Sequence, residues 1–156
     1  MTEARPLPPA VRRAVPSDLP EWARMRCALW PEEEERGEHE REIRAYFATP
    51  GRAVTFVAVR PSGGLLGFIE IDVRSVAEGC WSGPVPYVEG WYVDEDVRRQ
   101  GVGTALVRAA EVWARAAGFT EMASDALLDN TPSHAAHRAL GYEEVERIVC
   151  FRKPLA

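Results

Sequence analysis

The residues best suited to chemistry fall in one run, Asp94-Glu95-Asp96-Val97-Arg98-Arg99-Gln100-Gly101-Val102-Gly103. It links a strand-like segment, Tyr87–Val93, to the most regular helical pattern in the chain, Gly101–Gly118. A helix start carries a partial positive charge and several unpaired N–H groups. Without side chains, Gly101 and Gly103 let a phosphate approach that backbone, while Arg98, Arg99 and Gln100 add donors. The run lacks the Gly-Lys-Ser/Thr of a Walker loop and the third glycine of a dinucleotide fingerprint. An isolated Gly-x-Gly also reads simply as a turn flanked by solvated arginines.

Two carboxylates flank this run in the order of elements. Glu89 lies on the segment before it and Asp125 on the apolar segment Glu121–Ala126 that follows the helix. Side chains there could accept a proton from an ammonium, directly or through water. They could equally hold a cation without deprotonating it, or be exposed strand-end residues. His39 and His134 read as surface or packing residues.

The positioning elements follow from periodicity and breakers. Val11–Val15 reads as a short strand, and Asp18 with Glu21 forms a candidate capping box for a helix bearing Trp22, Met25 and Leu29, stopped by Pro31. A second helix through Ile43–Phe47 ends before Pro50. Val54–Val59 and Leu66–Val73 flank the turn Pro61-Ser62-Gly63-Gly64 as a hairpin. In the long helix Leu106, Ala109, Ala110, Trp113 and Ala117 share one face. Thr131 reads as the N-cap of a short helix with Pro132 at its first position and Gly141 closing it, and Glu143–Arg152 reads as the last strand. The order is α/β, with helices crossing over between strands.

Composition sets the frame. With 156 residues, 46% hydrophobic and 28% charged, the chain suits one globular domain, expected over 11–156 after a flexible tail at 1–10. No apolar run is long enough to span a bilayer, and the N-terminus has no signal-like apolar core. The three cysteines are odd in number and widely spaced, which suits a reducing, cytoplasmic setting and argues against a thiolate metal site. A net charge of −5 disfavours nucleic acid and suits a cationic partner. The glutamate-rich run Glu32–Glu42 either adds to an attracting field or is a solvated face.

The Arg-x-x-Gly-x-Gly pattern, within the order of elements from Val11 to Lys153, resembles the acyl-CoA loop of the GNAT N-acetyltransferase superfamily. The resemblance implies a central mixed sheet splayed at the acyl-CoA site, with helices on both faces. It implies acetyl-CoA as co-substrate, no metal, and cofactor contacts from Arg98 to Thr104 and from the backbone of Trp91, Tyr92 and Val93, with an N–H there polarising the thioester carbonyl. Asn130 matches an asparagine that often contacts the cofactor, or is a turn residue capping a helix. Where many members place a tyrosine as general acid, four residues before Gly141-Tyr142, this chain has His137, which can donate a proton near neutral pH or simply pack.

Further segments are similar to the aminoglycoside 6'-N-acetyltransferases: Leu29-Trp30-Pro31, Val88-Glu89-Gly90, Glu121-Met122-Ala123-Ser124-Asp125 and Leu140-Gly141-Tyr142-Glu143-Glu144 with Glu146-Arg147. That resemblance implies a polycationic aminoglycoside substrate, a homodimer, Trp30 as a pocket wall and Glu89, Asp125 and Glu146 as the pocket's carboxylates. Alternatives are an acetyltransferase for another small primary amine, such as a polyamine, amino sugar or peptide N-terminus, and a non-catalytic acyl-CoA-binding domain.

Overall fold

A computed structural model describes residues 8–31 and 35–155. Most of the expected N-terminal tail and residues 32–34 of the glutamate-rich run lie outside them. Strands β1 (Val11–Arg13), β2 (Val54–Val59), β3 (Leu65–Arg74), β4 (Val85–Val93) and β5 (Ala123–Ser124) form one sheet in chain order. All neighbours are antiparallel except β4 and β5, which run parallel because a helix crosses between them.

Helices α1 (Leu19–Leu29) and α2 (Arg36–Ala48) cover one face of the sheet, burying Trp22, Met25 and Ile43 against Val57, Leu65 and Phe68. On the other face α3 (Val102–Ala116) sets Val102, Leu106, Val107 and Ala110 against Val54, Phe56, Ile69, Ile71 and Val88. Because both faces are covered, β2 and the first half of β3 are almost continuously apolar rather than alternating. Leu106 has no exposed surface, so Leu106→Ala would cost about 2–5 kcal/mol. The short helix α4 (Thr131–Ala139) has no buried residue and packs its partly buried ones beside β5.

Four sequence expectations meet a different structure. The Asp18–Glu21 capping box does not form: the Asp18 carboxylate takes a forked ion pair from Arg12 at 2.7 and 2.9 Å and the Val15 N–H at 2.8 Å. Glu21 instead accepts from Arg24 at 2.9 Å. The α4 cap is Asn130 rather than Thr131, its side-chain oxygen accepting the Ser133 N–H at 3.2 Å. The segment 143–152 forms no strand, and β5 shrinks to a pair of residues. Among the described residues this segment pairs with no strand, not even the open edge of β5, and Val145, Ile148, Val149 and Phe151 stay exposed.

Candidate active site

The opening in the sheet is built by β4. On its β3 side, the ladder shifts between Glu70↔Gly90 and Ile71↔Val88, so Glu89 is an extra, bulged residue. On its β5 side the ladder holds only Tyr87↔Ala123 and Val88↔Ser124. From Glu89 to Val93 that edge has no strand beside it, and its peptide groups need partners. One is met in part by Arg98, whose Nε donates to the Val93 carbonyl at 3.0 Å. Trp91, Tyr92 and Val93, expected along the cofactor, lie on this edge and are half-buried.

Beyond Val93 the chain enters the Arg98–Thr104 loop and helix start. The acidic half of the loop is tied down: Arg24 reaches Asp94 through both terminal nitrogens at 3.0 Å, and Arg60 reaches Asp96 at 2.9 Å and Asp94 at 3.2 Å. These bonds leave the basic half to solvent, with Arg98, Arg99 and Gln100 exposed. Arg99 and Gly101 both take left-handed backbone, with φ of 61° and 85°, curling the chain into α3 so that consecutive N–H groups converge. No side chain caps α3, so the N–H groups of Val102, Gly103 and Thr104 are available to an anion.

The two glycines differ in their reasons. A side chain on Gly101 would meet nothing within 4 Å, so glycine is required there by the positive φ and by whatever anion approaches. A Cβ on Gly103 would stand 3.1 Å from the Trp91 indole, so this glycine lets the helix start close onto β4.

Of the carboxylates, Asp125 and Glu146 line one cavity of about 480 Å³ together with His137, Tyr87 and Arg74. Both are exposed, and Glu146 belongs to the unpaired C-terminal segment. In that segment Glu144 is pulled down to about 2 by the guanidiniums of Arg147 and Arg138. Glu89 reaches this group through Arg74, which holds both its oxygens at 2.8 and 2.7 Å. Arg74 also lies 3.5 Å over the ring of Tyr87. Burial first, and then the charge of Asp125, push the Tyr87 hydroxyl up to about 12, so it stays a neutral donor facing that carboxylate.

His137 is held from both sides. Its Nδ1 lies 2.7 Å from the Ser133 carbonyl, which can only accept, so Nδ1 carries a proton and Nε2 faces the Ser124 hydroxyl at 2.8 Å. Edge-on rings of Trp91 and Tyr142, at 5.4 and 5.5 Å, fix the imidazole between β4 and the end of α4. Trp30 does not line the cavity. It closes α1 on the other side of β4, where its indole sits against Gly90 and stacks on the buried His39 at 6.2 Å. Glu38, Glu40 and Glu42, from the glutamate-rich run, pair with Arg41, with Arg36 and Arg44, and with Arg26, which offsets their outward field.

Sequence reasoning missed Arg74, Tyr87 and Ser124. Nothing local marks them; the β3–β4 register brings Arg74 beside Tyr87 and Glu89, and the parallel β4–β5 pair sets Ser124 beside Val88. The Arg24–Asp94–Arg60 anchor was also invisible, since its members come from α1, from the residue after β2 and from the loop.

A family described as "Acetyltransferase (GNAT) family" matches residues 19–142. An "Aminoglycoside N(6')-acetyltransferase type 1" of Klebsiella aerogenes is 48% identical over 149 residues, covering 94% of this chain and 97% of its own. A protein of the same description from Stenotrophomonas maltophilia is 42% identical, covering 94% of each chain. Among solved structures, the apo aminoglycoside antibiotic 6'-N-acetyltransferase of Acinetobacter haemolyticus superposes with a TM-score of 0.85 at 36% identity, covering 94% of this chain and 99% of that one. AAC(6')-Iy in complex with the bisubstrate analogue CoA-S-monomethyl-acetylneamine does so with a TM-score of 0.85 at 32% identity, covering 93% of this chain and 97% of that one.

Proposed function

Because the chain belongs to the acetyltransferase (GNAT) family, we propose that it transfers the acetyl group of acetyl-CoA to the 6'-amine of an aminoglycoside. The observation that carries this reading is the opening in the sheet. β4 loses its β5 partner after Val88, and the free edge runs from the carboxylate end at Glu89 to the uncapped start of α3. Five residues of strand span about 16 Å, enough for an extended chain to lie along Glu89–Val93 with phosphates at one end and an acyl group at the other.

The residues fit the co-substrate. The N–H groups of Val102, Gly103 and Thr104, with Arg98 and Arg99, suit a pyrophosphate, and the unpaired β4 backbone suits a pantetheine arm with its amides. When bound, acetyl-CoA supplies a thioester ready for acyl transfer. A backbone N–H from Trp91–Val93 is the donor available to the acyl oxygen. Asn130 spends its side-chain oxygen on the α4 cap and keeps its amide donors for the cofactor.

An ammonium must lose a proton before it can attack. Asp125, and Glu89 held beside that cavity by Arg74, are acceptors for it, directly or through water, and Asp125 and Glu146 hold the other ammonium groups of a polycation. His137 acts through Ser124: its Nδ1 proton is committed to the Ser133 carbonyl, so only an imidazolium, protonated at Nε2 as well, can pass a proton to the Ser124 oxygen while that hydroxyl gives its own to the departing thiolate. Trp30 acts from the far side of β4 by setting the position of Gly90 and hence of Glu89.

The reading extends to a homodimer. β5 ends the sheet with an open edge, and the segment 143–152 carries apolar side chains with no ladder partner; a second copy supplies both. Incubation with acetyl-CoA and an aminoglycoside panel, followed by mass spectrometry and fragmentation, should show one acetyl group on the 6'-nitrogen. Thiol release with other amines but with no aminoglycoside would leave the acetyl transfer and remove the substrate.

A further inference from the structure

Arg74 is a cation that no local motif places in this site. It closes β3, opposite Val85 in the ladder, and its guanidinium turns onto β4. Nε and Nη2 take the two oxygens of Glu89 at 2.8 and 2.7 Å, so the fork leaves neither oxygen free of a partner. The guanidinium carbon lies 3.5 Å above the Tyr87 ring, and both side chains line the cavity that holds Asp125 and Glu146.

A carboxylate, the face of a buried tyrosine and a second carboxylate nearby are also what an alkylammonium would use. The guanidinium and a substrate ammonium therefore compete for the same groups. The seat is open to solvent rather than sealed: the side chain of Arg74 is 43% exposed and that of Glu89 32%, so water and salt screen the fork. The guanidinium can swing to water on its flexible stem without leaving a buried charge behind.

Resting on the aminoglycoside reading above, we infer that Arg74 is a specificity-determining residue that holds the place of a substrate ammonium, so that a cationic amine binds Glu89 by exchange for the guanidinium. The apparent affinity of the site is then lowered by the fraction of molecules in which Arg74 is seated. A ligand that also engages Asp125 and Glu146 can overcome that competition, whereas a monoamine must displace the fork with a single charge.

The test compares the parent with Arg74→Gln and Arg74→Lys, using neamine as probe and acetyl-CoA binding as the control for a folded protein. The exchange predicts that KM and the calorimetric Kd for neamine fall about tenfold in Arg74→Gln, as for removal of a competitor seated about nine-tenths of the time. Arg74→Lys, with a point charge instead of a fork, should fall between. In the parent, saturating neamine should shift the Arg74 Nε–H resonance and speed its exchange with water, a signature that a merely structural Arg74 would not show. A KM that rises or stays level in Arg74→Gln, or an unmoved Nε–H signal at saturation, overturns the exchange. Binding with exchange but no acetyl product would refute the aminoglycoside acetyltransferase reading alone; acetylation with an unmoved signal would refute the exchange alone.

Discussion

Gly90→Ala tests how the α1 end shapes the active strand. A Cβ at Gly90 would stand 2.8 Å from Trp30 Cη2, 3.2 Å from Cζ2 and 3.3 Å from Phe68 Cε2. Carbon atoms in contact prefer about 3.5–4.0 Å, so the indole must retreat by roughly 1 Å or β4 must bend. Overpacking of this kind costs about 1–3 kcal/mol. For a chain of this size each kcal/mol lowers Tm by about 2–4 °C, so the variant should melt roughly 2–12 °C below the parent. Removing the obstacle should remove the cost. In a Trp30→Ala background the two tightest contacts are gone and Phe68 Cε2 at 3.3 Å is the nearest left, so Gly90→Ala should then cost under about 1 kcal/mol, a coupling of about 1–2 kcal/mol within the range for touching residues. Denaturant melts of the four proteins measure the cycle. Gly90→Ala alone should also raise the aminoglycoside KM, because Glu89 is the next residue along the bulge. Equal destabilisation in both backgrounds would show that Trp30 is not what glycine accommodates, and that its link to Glu89 is wrong.

Replacing both Gly101 and Gly103 by Val should abolish acetyl-CoA binding in a folded protein, since one position has a φ of 85° and the other faces Trp91 at 3.1 Å; calorimetry showing parental affinity would refute the phosphate site. Asp125→Asn and Glu89→Gln should each lower kcat/KM for an aminoglycoside by roughly ten- to a hundredfold, the loss of about 1.5–3 kcal/mol from a charge-assisted partner, with acetyl-CoA affinity retained; unchanged kinetics in both would remove the carboxylate site. Asp125→Asn should also lower the Tyr87 ionisation from about 12, read as the difference between ultraviolet pH titrations of variant and parent. Because the folded value is raised, the stability this tyrosine contributes is complete below its ordinary value of 10.0 and is lost as pH climbs through about 12; an unmoved titration would separate Asp125 from Tyr87. Truncation after Tyr142 should leave a monomer by analytical ultracentrifugation, and a parent that sediments as a monomer would refute the homodimer.

Much of this protein is written locally. The Arg98–Gly103 run could be read as a candidate anion site because glycines and a helix start are properties of adjacent residues, and the structure has Gly101 in left-handed backbone just before the uncapped start of α3. The apolar spacing of α3 and the strand Val54–Val59 were legible for the same reason, since a period of 3.6 or a short apolar run between breakers is set within one segment. What the tertiary structure decided were relations between segments. The bulge that makes Glu89 the extra residue exists only against Glu70 and Ile71 of β3, and the opening beside it only because β5 stops at Ser124. The competition of Arg74 for Glu89 depends on strand register, and the tautomer of His137 on a carbonyl one helical turn away and a hydroxyl on another strand. The segment 143–152 shows the limit most plainly: its residues have the composition of a strand, but a strand is a hydrogen-bonded relation, and among the described residues the segment pairs with no strand, not even the open edge of β5.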